Sequence, residues 1–263
     1  MQYVEKGLII EHQKLHKDIF LLKVLVPLIC QECNPGQFLH VRVGNTFDPL
    51  LRRPLSIYDA DKERGIIELL YKVVGKGTQL LAFMQKGESV DIMGPLGKGF
   101  SLPSKGLNTV LVGGGMGIAP LVFLARQLQE SGYNIWLFYG AANSQELVAE
   151  DKIKKMGIEI WTSTMDGSRG HKGLVTDLFS QAISPDETDY IYTCGPEPMM
   201  AAIAEFATKN HIAGEMSLEE HMACGVGACL GCARKLNKSD SSYVKICKDG
   251  PVFSFDKIKP EKH

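Results

Sequence analysis

Apolar and polar positions follow two different rhythms along this chain, and the rhythm changes near residue 100. Before that point, short apolar runs alternate with turn residues, a pattern typical of closely spaced β-strands. The predicted strands cover residues 7–12, 19–26, 37–43, 55–59, 66–73 and 89–93. One short helix is predicted over 78–84, with Thr78 as its N-cap. Six strands at this spacing predict a small antiparallel β-barrel.

Beyond residue 100, continuous apolar runs alternate with helical patterns. The predicted strands cover residues 109–112, 135–139, 158–161 and 190–193, and the predicted helices cover 121–130, 146–156 and 197–210. This alternation is typical of a doubly wound parallel sheet, so the fold class is β plus α/β. We expect a barrel domain over 1–101, an α/β domain over 102–212 and a small C-terminal segment over 213–263.

The C-terminal segment contains four cysteines with the spacing of metal ligands. Cys224, Cys229 and Cys232 form Cys-x4-Cys-x2-Cys in a glycine-rich loop, and Cys247 follows after fourteen more residues. Three ligands in one loop and one remote ligand are typical of a [2Fe–2S] cluster. A structural zinc site is the alternative, because four thiolates also suit tetrahedral zinc.

Composition limits the class of protein. The chain has 263 residues and a net charge of −1, which argues against nucleic acid or an anionic membrane as its partner. Its beginning does not resemble a signal peptide, and no apolar run is long enough to span a membrane. Seven cysteines, four of them with metal spacing, favour the reducing cytoplasm. Cys30 and Cys33 have no second pair near them, and we expect core or loop thiols.

Two stretches of the predicted barrel are candidates for binding phosphate. Arg53 precedes Pro54 at the start of a strand, where its forked guanidinium could bind a phosphate; a solvated Arg52–Arg53 pair is the alternative. In 75–78, glycines come just before a helix, where free N–H groups suit a pyrophosphate. Either stretch alone is only weak evidence for a phosphate site.

A third glycine-rich stretch follows the first strand of the α/β half. Gly113, Gly115 and Gly117 lie between that strand and the helix that Pro120 opens. The stretch lacks the Gly-x-Gly-x-x-Gly fingerprint, because Ile118 occupies its third glycine position, but the strand–loop–helix context still predicts nucleotide binding. Cys194 ends a later strand and could face a nicotinamide, although a buried thiol before a Gly-Pro turn is the simpler interpretation. Since no Lys or Arg follows the 135–139 strand until Lys152, NAD is favoured over NADP.

These motifs, in this order, resemble the ferredoxin–NADP reductase superfamily. With the C-terminal cysteines, the chain resembles the electron-transfer subunits of class B, NAD-dependent dihydroorotate dehydrogenases. The resemblance implies FAD on the barrel, NAD on the α/β domain, and a [2Fe–2S] cluster facing a partner. That partner would be an FMN-containing catalytic subunit of pyrimidine biosynthesis, in a heterotetramer of two plus two.

The resemblance also implies roles for individual residues. The FAD contacts would be Arg53, Pro54, Leu55, Ser56, Leu70, Tyr71, Lys72, Gly77 and Thr78. The cluster ligands would be Cys224, Cys229, Cys232 and Cys247. FAD would stand between the cluster and NAD+, because a flavin exchanges both hydride and single electrons.

Two other functions remain open at this stage. The chain could be the FAD/[2Fe–2S] subunit of an NADH-dependent ferredoxin:NADP oxidoreductase or of a sulfhydrogenase, which only the partner distinguishes. It could also be a non-enzymatic module that binds zinc and a nucleotide, which would show no visible band from its metal.

Overall fold

The structure, a computed structural model, describes residues 1–44, 48–104, 106–236 and 242–258. The chain forms two compact units. In the C-terminal region it passes back and forth between them, so that each unit contains two separate C-terminal segments. The barrel unit comprises Met1–Gly99, Glu219–Arg234 and Val244–Pro251. The sheet unit comprises Phe100–Leu218, Lys235–Tyr243 and Val252–His263.

Six antiparallel strands close into a barrel in the order β1-β2-β5-β4-β3-β6. Their bounds are β1 Tyr3–Lys14, β2 Ile19–Leu25, β3 Phe38–Arg42, β4 Arg53–Asp61, β5 Ile66–Lys72 and β6 Ser89–Leu96. Alternate side chains such as Leu22, Leu39 and Ile57 are fully buried. The apolar runs of the sequence therefore supply the side chains that fill the barrel, and the predicted barrel is confirmed.

Two short helices accompany the barrel. Helix α1, Pro27–Glu32, was not predicted; Pro27 at its first position supplies a helical φ angle. Cys30, on this helix, and Cys33, just after it, are fully buried. Helix α2 is Lys76–Phe83, and its N-cap is Gly75 rather than Thr78.

Thr78 lies inside the first turn of α2, so its prediction as the N-cap was wrong. Its hydroxyl accepts hydrogen bonds from the backbone N–H groups of Val74 and Gly75, at 3.0 and 3.2 Å. Thr78 lies three residues beyond the N-cap Gly75, and its side chain stabilises the turn that precedes the helix.

The sheet unit contains a seven-stranded sheet in the order β10-β9-β8-β7-β11-β12-β15. The bounds are β7 Asn108–Gly114, β8 Asn134–Ala141, β9 Glu159–Thr164, β10 His171–Lys172, β11 Tyr190–Cys194, β12 Ala213–Ser217 and β15 Val252–Ser254. All neighbours are parallel except β12 and β15. The predicted α/β class is confirmed.

Helices connect the parallel strands. They are α3 Ile118–Glu130, α4 Glu150–Lys155, α5 Val175–Ala182 and α6 Glu197–Lys209. The predicted helix over 146–156 is shorter than expected, because a separate 3-10 turn occupies Ser144–Glu146. Helix α5 was not predicted; its eight residues give too short an apolar period to recognise in the sequence.

The C-terminal region contributes to both units. After β12, the cysteine-rich loop leads into β13 (Ala233–Lys235), which pairs with β14 (Tyr243–Lys245), and α7 (Ile246–Asp249) follows. β12 and β15 extend the sheet on either side of this excursion. The domain boundaries drawn from the sequence stay predictions. In the described ranges, no helix is long and apolar enough to span a membrane.

Candidate redox centre

The four candidate cluster ligands are brought together at the C-terminal end of the barrel unit. The thiol of Cys224 lies within hydrogen-bonding reach of Cys229, and the thiol of Cys232 lies within reach of Cys247. The backbone N–H of Ile246 donates to the carbonyl of Cys232, at 3.0 Å, and thereby holds the remote ligand beside the loop. The sulfurs form two pairs, the arrangement in which each iron of a [2Fe–2S] cluster takes two thiolates.

Backbone N–H groups point at these sulfur atoms. Cys224 Sγ accepts from Val226, Ala228 and Cys229 at 3.3 to 3.5 Å, and Cys247 Sγ accepts from Gly227 at 3.1 Å. Burial raises the pKa of the Cys224 thiol, but these donors outweigh it and bring the pKa down to about 6. A loop that lowers the pKa of Cys224 in this way fits an iron–sulfur cluster. Burial, followed by the neighbouring Cys232, instead raises the pKa of Cys247 to about 12. In the described ranges, no group of three or more His, Cys, Asp or Glu side chains is placed so that it could hold a single metal ion. The four cysteines form two pairs instead.

Glycine is required at two positions of the loop. Gly225 and Gly227 have φ angles of 71° and 79°, a region that side chains disfavour. A Cβ on Gly225 would lie 2.5 Å from Nδ1 of His40, a residue of β3. The loop therefore rests directly against the outer surface of the barrel.

The candidate phosphate site of the barrel joins β4 to the first turn of α2. A Cβ on Gly77 would collide with Nε of Arg53, so the guanidinium lies over the start of the helix. Free N–H groups at a helix start and an adjacent guanidinium form a cradle for a pyrophosphate. The structure thus brings together two stretches that were each weak signals in the sequence.

The two neighbouring arginines have different surroundings. Arg52 donates twice to the carboxylate of Asp91 on β6, each at 2.9 Å, and also donates to the carbonyl of His40. Arg53 donates only to the nearby carbonyls of Leu51 and Arg52 within the described residues. Arg52 therefore links the start of β4 to β3 and β6. The positive charge of Arg53 is available for a ligand.

The remaining candidate FAD residues are spread over β4 and β5. Pro54 and Ser56 are half-buried and Leu55 is buried. Leu70 and Tyr71 are buried, and the Tyr71 hydroxyl is 2.9 Å from Nε2 of His12. Lys72 is half-buried and forms an ion pair with Asp18 at 3.7 Å. Their roles at FAD stay predictions.

The candidate NAD residues meet where the strand order of the sheet reverses. The chain runs outward from β7 to β8 and β9, and then returns to place β11 on the other side of β7. Gly113 is in register with Cys194, so both strands end at the same edge. Open α/β sheets bind nucleotides at this kind of crevice.

Close backbone packing explains the glycines at this edge. A Cβ on Gly117 would collide with the carbonyl of Cys194, and one on Gly114 would lie 2.8 Å from Cδ of Pro196. Gly115, with φ of 54°, faces open space. Pro120 is buried in the first turn of α3, and Cys194 is buried.

Sequence reasoning missed His40. It is a single histidine in an apolar strand, with neither a repeat nor a ligand spacing to mark it. The only signal was its polarity: a charged or polar ring in a buried strand needs a partner.

Three family models cover most of the chain. The oxidoreductase FAD-binding domain matches residues 6–100, and the oxidoreductase NAD-binding domain matches 111–205. The iron–sulfur cluster binding domain of dihydroorotate dehydrogenase B matches 219–259, which includes all four cysteines of the loop region. The chain therefore has FAD-binding, NAD-binding and iron–sulfur domains in the predicted order.

Curated relatives extend over nearly the full length. The dihydroorotate dehydrogenase B (NAD(+)) electron transfer subunit of Desulforamulus reducens is 42% identical over 237 residues, 90% of each chain. The subunit of the same description from Fusobacterium nucleatum is 37% identical over 262 residues, 98% of this chain and 99% of its own. The chain belongs to this family of electron transfer subunits. The resemblance stated from the sequence is confirmed.

A solved structure of an NADH-dependent reduced ferredoxin-NADP oxidoreductase is also similar to this chain. Its TM-score is 0.86 at 31% identity, over 97% of this chain and 90% of that chain. The shared fold supports the barrel-plus-sheet architecture of the family. The similarity is also compatible with the alternative stated from the sequence, a subunit of an NADH-dependent ferredoxin:NADP oxidoreductase.

The cofactor preference can be tested at the end of β8. Residues 142–146 after this strand contain no basic side chain, and the nearby Arg169 is paired with Glu150 at 2.7 Å. We expect kcat/KM for NADH to exceed that for NADPH by at least about tenfold, because a missing charged hydrogen bond costs roughly 1.5–3 kcal/mol. Steady-state oxidation of both nucleotides with an artificial acceptor measures the ratio, and equal values would contradict it.

Proposed function

We propose that this chain carries electrons from the FMN of a dihydroorotate dehydrogenase catalytic subunit to NAD+, in pyrimidine biosynthesis. The observation that carries the proposal lies within the barrel unit. The cysteine loop packs, through Gly225, against β3, the strand next to the candidate flavin strand β4. A one-electron site in the loop and a flavin site on β4 would therefore be neighbours within the barrel unit.

The four cysteines are the proposed cluster ligands. Cys224 and Cys229 would hold one iron, and Cys232 and Cys247 would hold the other. The N–H donors of the loop would stabilise the negative charge on the sulfurs. When bound, the cluster supplies one-electron transfer.

The flavin would lie along β4. Arg53 and the N-terminus of α2 would bind its pyrophosphate, with Gly77 leaving room for the guanidinium. Ser56 would be near the ring. A flavin suits this position because it exchanges hydride with NAD and single electrons with a cluster.

NAD+ would bind at the reversal point of the sheet. Gly113, Gly115 and Gly117 would let its pyrophosphate approach the start of α3, and Pro120 would complete that turn. Cys194, at the end of β11, would lie beside the nicotinamide.

The partner would dock on the cysteine loop. Val226 and Leu230 in this loop are 40% and 63% exposed, although both are large apolar side chains. Exposed apolar groups beside a redox site are typical of a docking surface. We propose an FMN-containing catalytic subunit, in a cytoplasmic heterotetramer of two plus two.

The competing partner is that of an NADH-dependent ferredoxin:NADP oxidoreductase, which the similar solved structure supports. The higher identity to dihydroorotate dehydrogenase subunits favours the first proposal. Co-purification separates the two, because it identifies the protein that binds this chain.

The decisive experiment reconstitutes the pathway. We expect the isolated chain, with its cofactors, to oxidise NADH with an artificial acceptor but not to oxidise dihydroorotate. Dihydroorotate oxidation needs a base and a second flavin positioned for the substrate. Adding the catalytic subunit should give dihydroorotate-dependent reduction of NAD+. Dihydroorotate oxidation by the isolated chain would overturn the proposal.

A further inference from the structure

A buried histidine connects the flavin strand with the cysteine loop. His40 is fully buried on β3, and neither of its ring nitrogens has a hydrogen-bond partner among the described residues. A buried donor without a partner is costly, because it has lost its hydrogen bonds to water. A bound cofactor beside this ring would be a candidate for the missing acceptor.

The neighbours of His40 define where that acceptor lies. His40 is in register with Pro54 of β4, so the two share the outer face of the barrel. On its other side, the ring covers Gly225: a Cβ there would lie 2.5 Å from Nδ1 and 3.0 Å from Cε1. Gly225 is directly bonded to the candidate ligand Cys224. Nδ1 of the ring therefore lies against the cysteine loop.

The ring is neutral at pH 7. Burial, followed by the charges of Arg52 and Arg53, lowers the pKa of His40 to about 4, against a smaller opposing effect of the Arg52 backbone. A neutral imidazole has one N–H donor and one acceptor nitrogen. Thiolates and sulfides are acceptors, so the cluster matches the donor.

We propose that His40 donates its ring N–H to a sulfur of the iron–sulfur cluster and thereby raises the reduction potential of the cluster. Reduction adds negative charge to the cluster, and an N–H···S hydrogen bond stabilises that charge. His40 is a positioning and tuning residue rather than a ligand. The inference rests on the proposed assignment of the four cysteines as ligands.

The first test uses the unmodified protein. With histidine labelled by ¹⁵N, the reduced cluster should show a hyperfine coupling to histidine nitrogen in pulsed electron paramagnetic resonance. The coupling should persist in His221→Gln, which removes the exposed histidine three residues before Cys224. A cluster with no histidine coupling, or a coupling lost in His221→Gln, would overturn the proposal.

The second test measures potentials. We expect His40→Leu to keep iron, sulfide and FAD but to shift the midpoint potential of the cluster to a more negative value. His40→Gln, which keeps a donor, should recover part of the shift. His12→Gln is the matched control, because His12 already pairs with Tyr71 and with the carbonyl of Met84, and it should leave the potential unchanged.

The outcomes separate this inference from the function proposed above. An intact cluster whose potential does not change in His40→Leu would overturn the role of His40 alone. A shift of the flavin potential instead of the cluster potential would show that the N–H serves FAD, and would also overturn it. If His40→Leu fails to fold, the labelling test on the parent protein decides. Failure of the ligand assignment would show as full iron content in Cys229→Ser.

Discussion

Replacing Cys229 by serine is expected to abolish or strongly perturb the cluster and to stop dihydroorotate-dependent reduction of NAD+. Cys229 is exposed, so the change should leave the fold and FAD binding intact. The loop would lose one of its four thiolates, and hydroxyl is a poor substitute for sulfur at iron. NADH oxidation with an artificial acceptor should continue, since that reaction needs only FAD and NAD.

Iron and acid-labile sulfide content, with the spectrum of the reduced protein, measure the first effect. Cys33→Ala is the control: Cys33 is a fully buried thiol of the barrel unit, outside the loop. We expect that variant to lose some stability and to retain its iron. Full coupled activity in a Cys229→Ser protein without a cluster would contradict the proposed path. Stoichiometric zinc without iron in the parent, made anaerobically with ample iron, would contradict the cluster itself.

Replacing Arg53 by alanine should weaken FAD binding by about ten- to a hundredfold. The guanidinium over the first turn of α2 is the proposed phosphate donor, and a charged hydrogen bond contributes roughly 1.5–3 kcal/mol. Arg53→Lys should recover only part of the affinity, because an ammonium keeps the charge but not the fork. Titration of the apoprotein with FAD measures the change.

Two other arginines provide the controls for that measurement. Arg64→Ala removes a 71% exposed arginine of the same unit and should leave FAD affinity unchanged. Arg52→Ala should mainly lower the free energy of unfolding, because it breaks the bidentate pair with Asp91. Equal FAD retention in Arg53→Ala and in the parent would refute the assignment of β4 to FAD.

The barrel and the parallel sheet were predictable because each has a period that follows from geometry. Strand β6 alternates buried and outward side chains over most of its length, β2 and β5 are short apolar runs, and β7 is a continuous apolar run followed by helix α3. Strands β12 and β15 were missed. Each has five residues or fewer, and each is stabilised by its neighbour in the sheet rather than by its own pattern.

The four candidate cluster cysteines could be selected from their spacing, and their role as ligands stays a prediction, but the surroundings of the sites could not be predicted. Nothing local distinguishes Arg52 from Arg53, since the partner that separates them, Asp91, is 39 residues away from Arg52. The same limit applies to His40. Its contact with Gly225 joins β3 to a loop near the other end of the chain, and only the folded barrel brings them together.

Anaerobic reduction, followed by the absorption of FAD and of the cluster, tests the central claim most directly. In the isolated chain, NADH should reduce both groups, and dihydroorotate should reduce neither. After the FMN-containing catalytic subunit is added, dihydroorotate should reduce both. Bleaching of the isolated chain by dihydroorotate would contradict this path of electrons, as would FAD and a cluster that stay oxidised when both subunits are present.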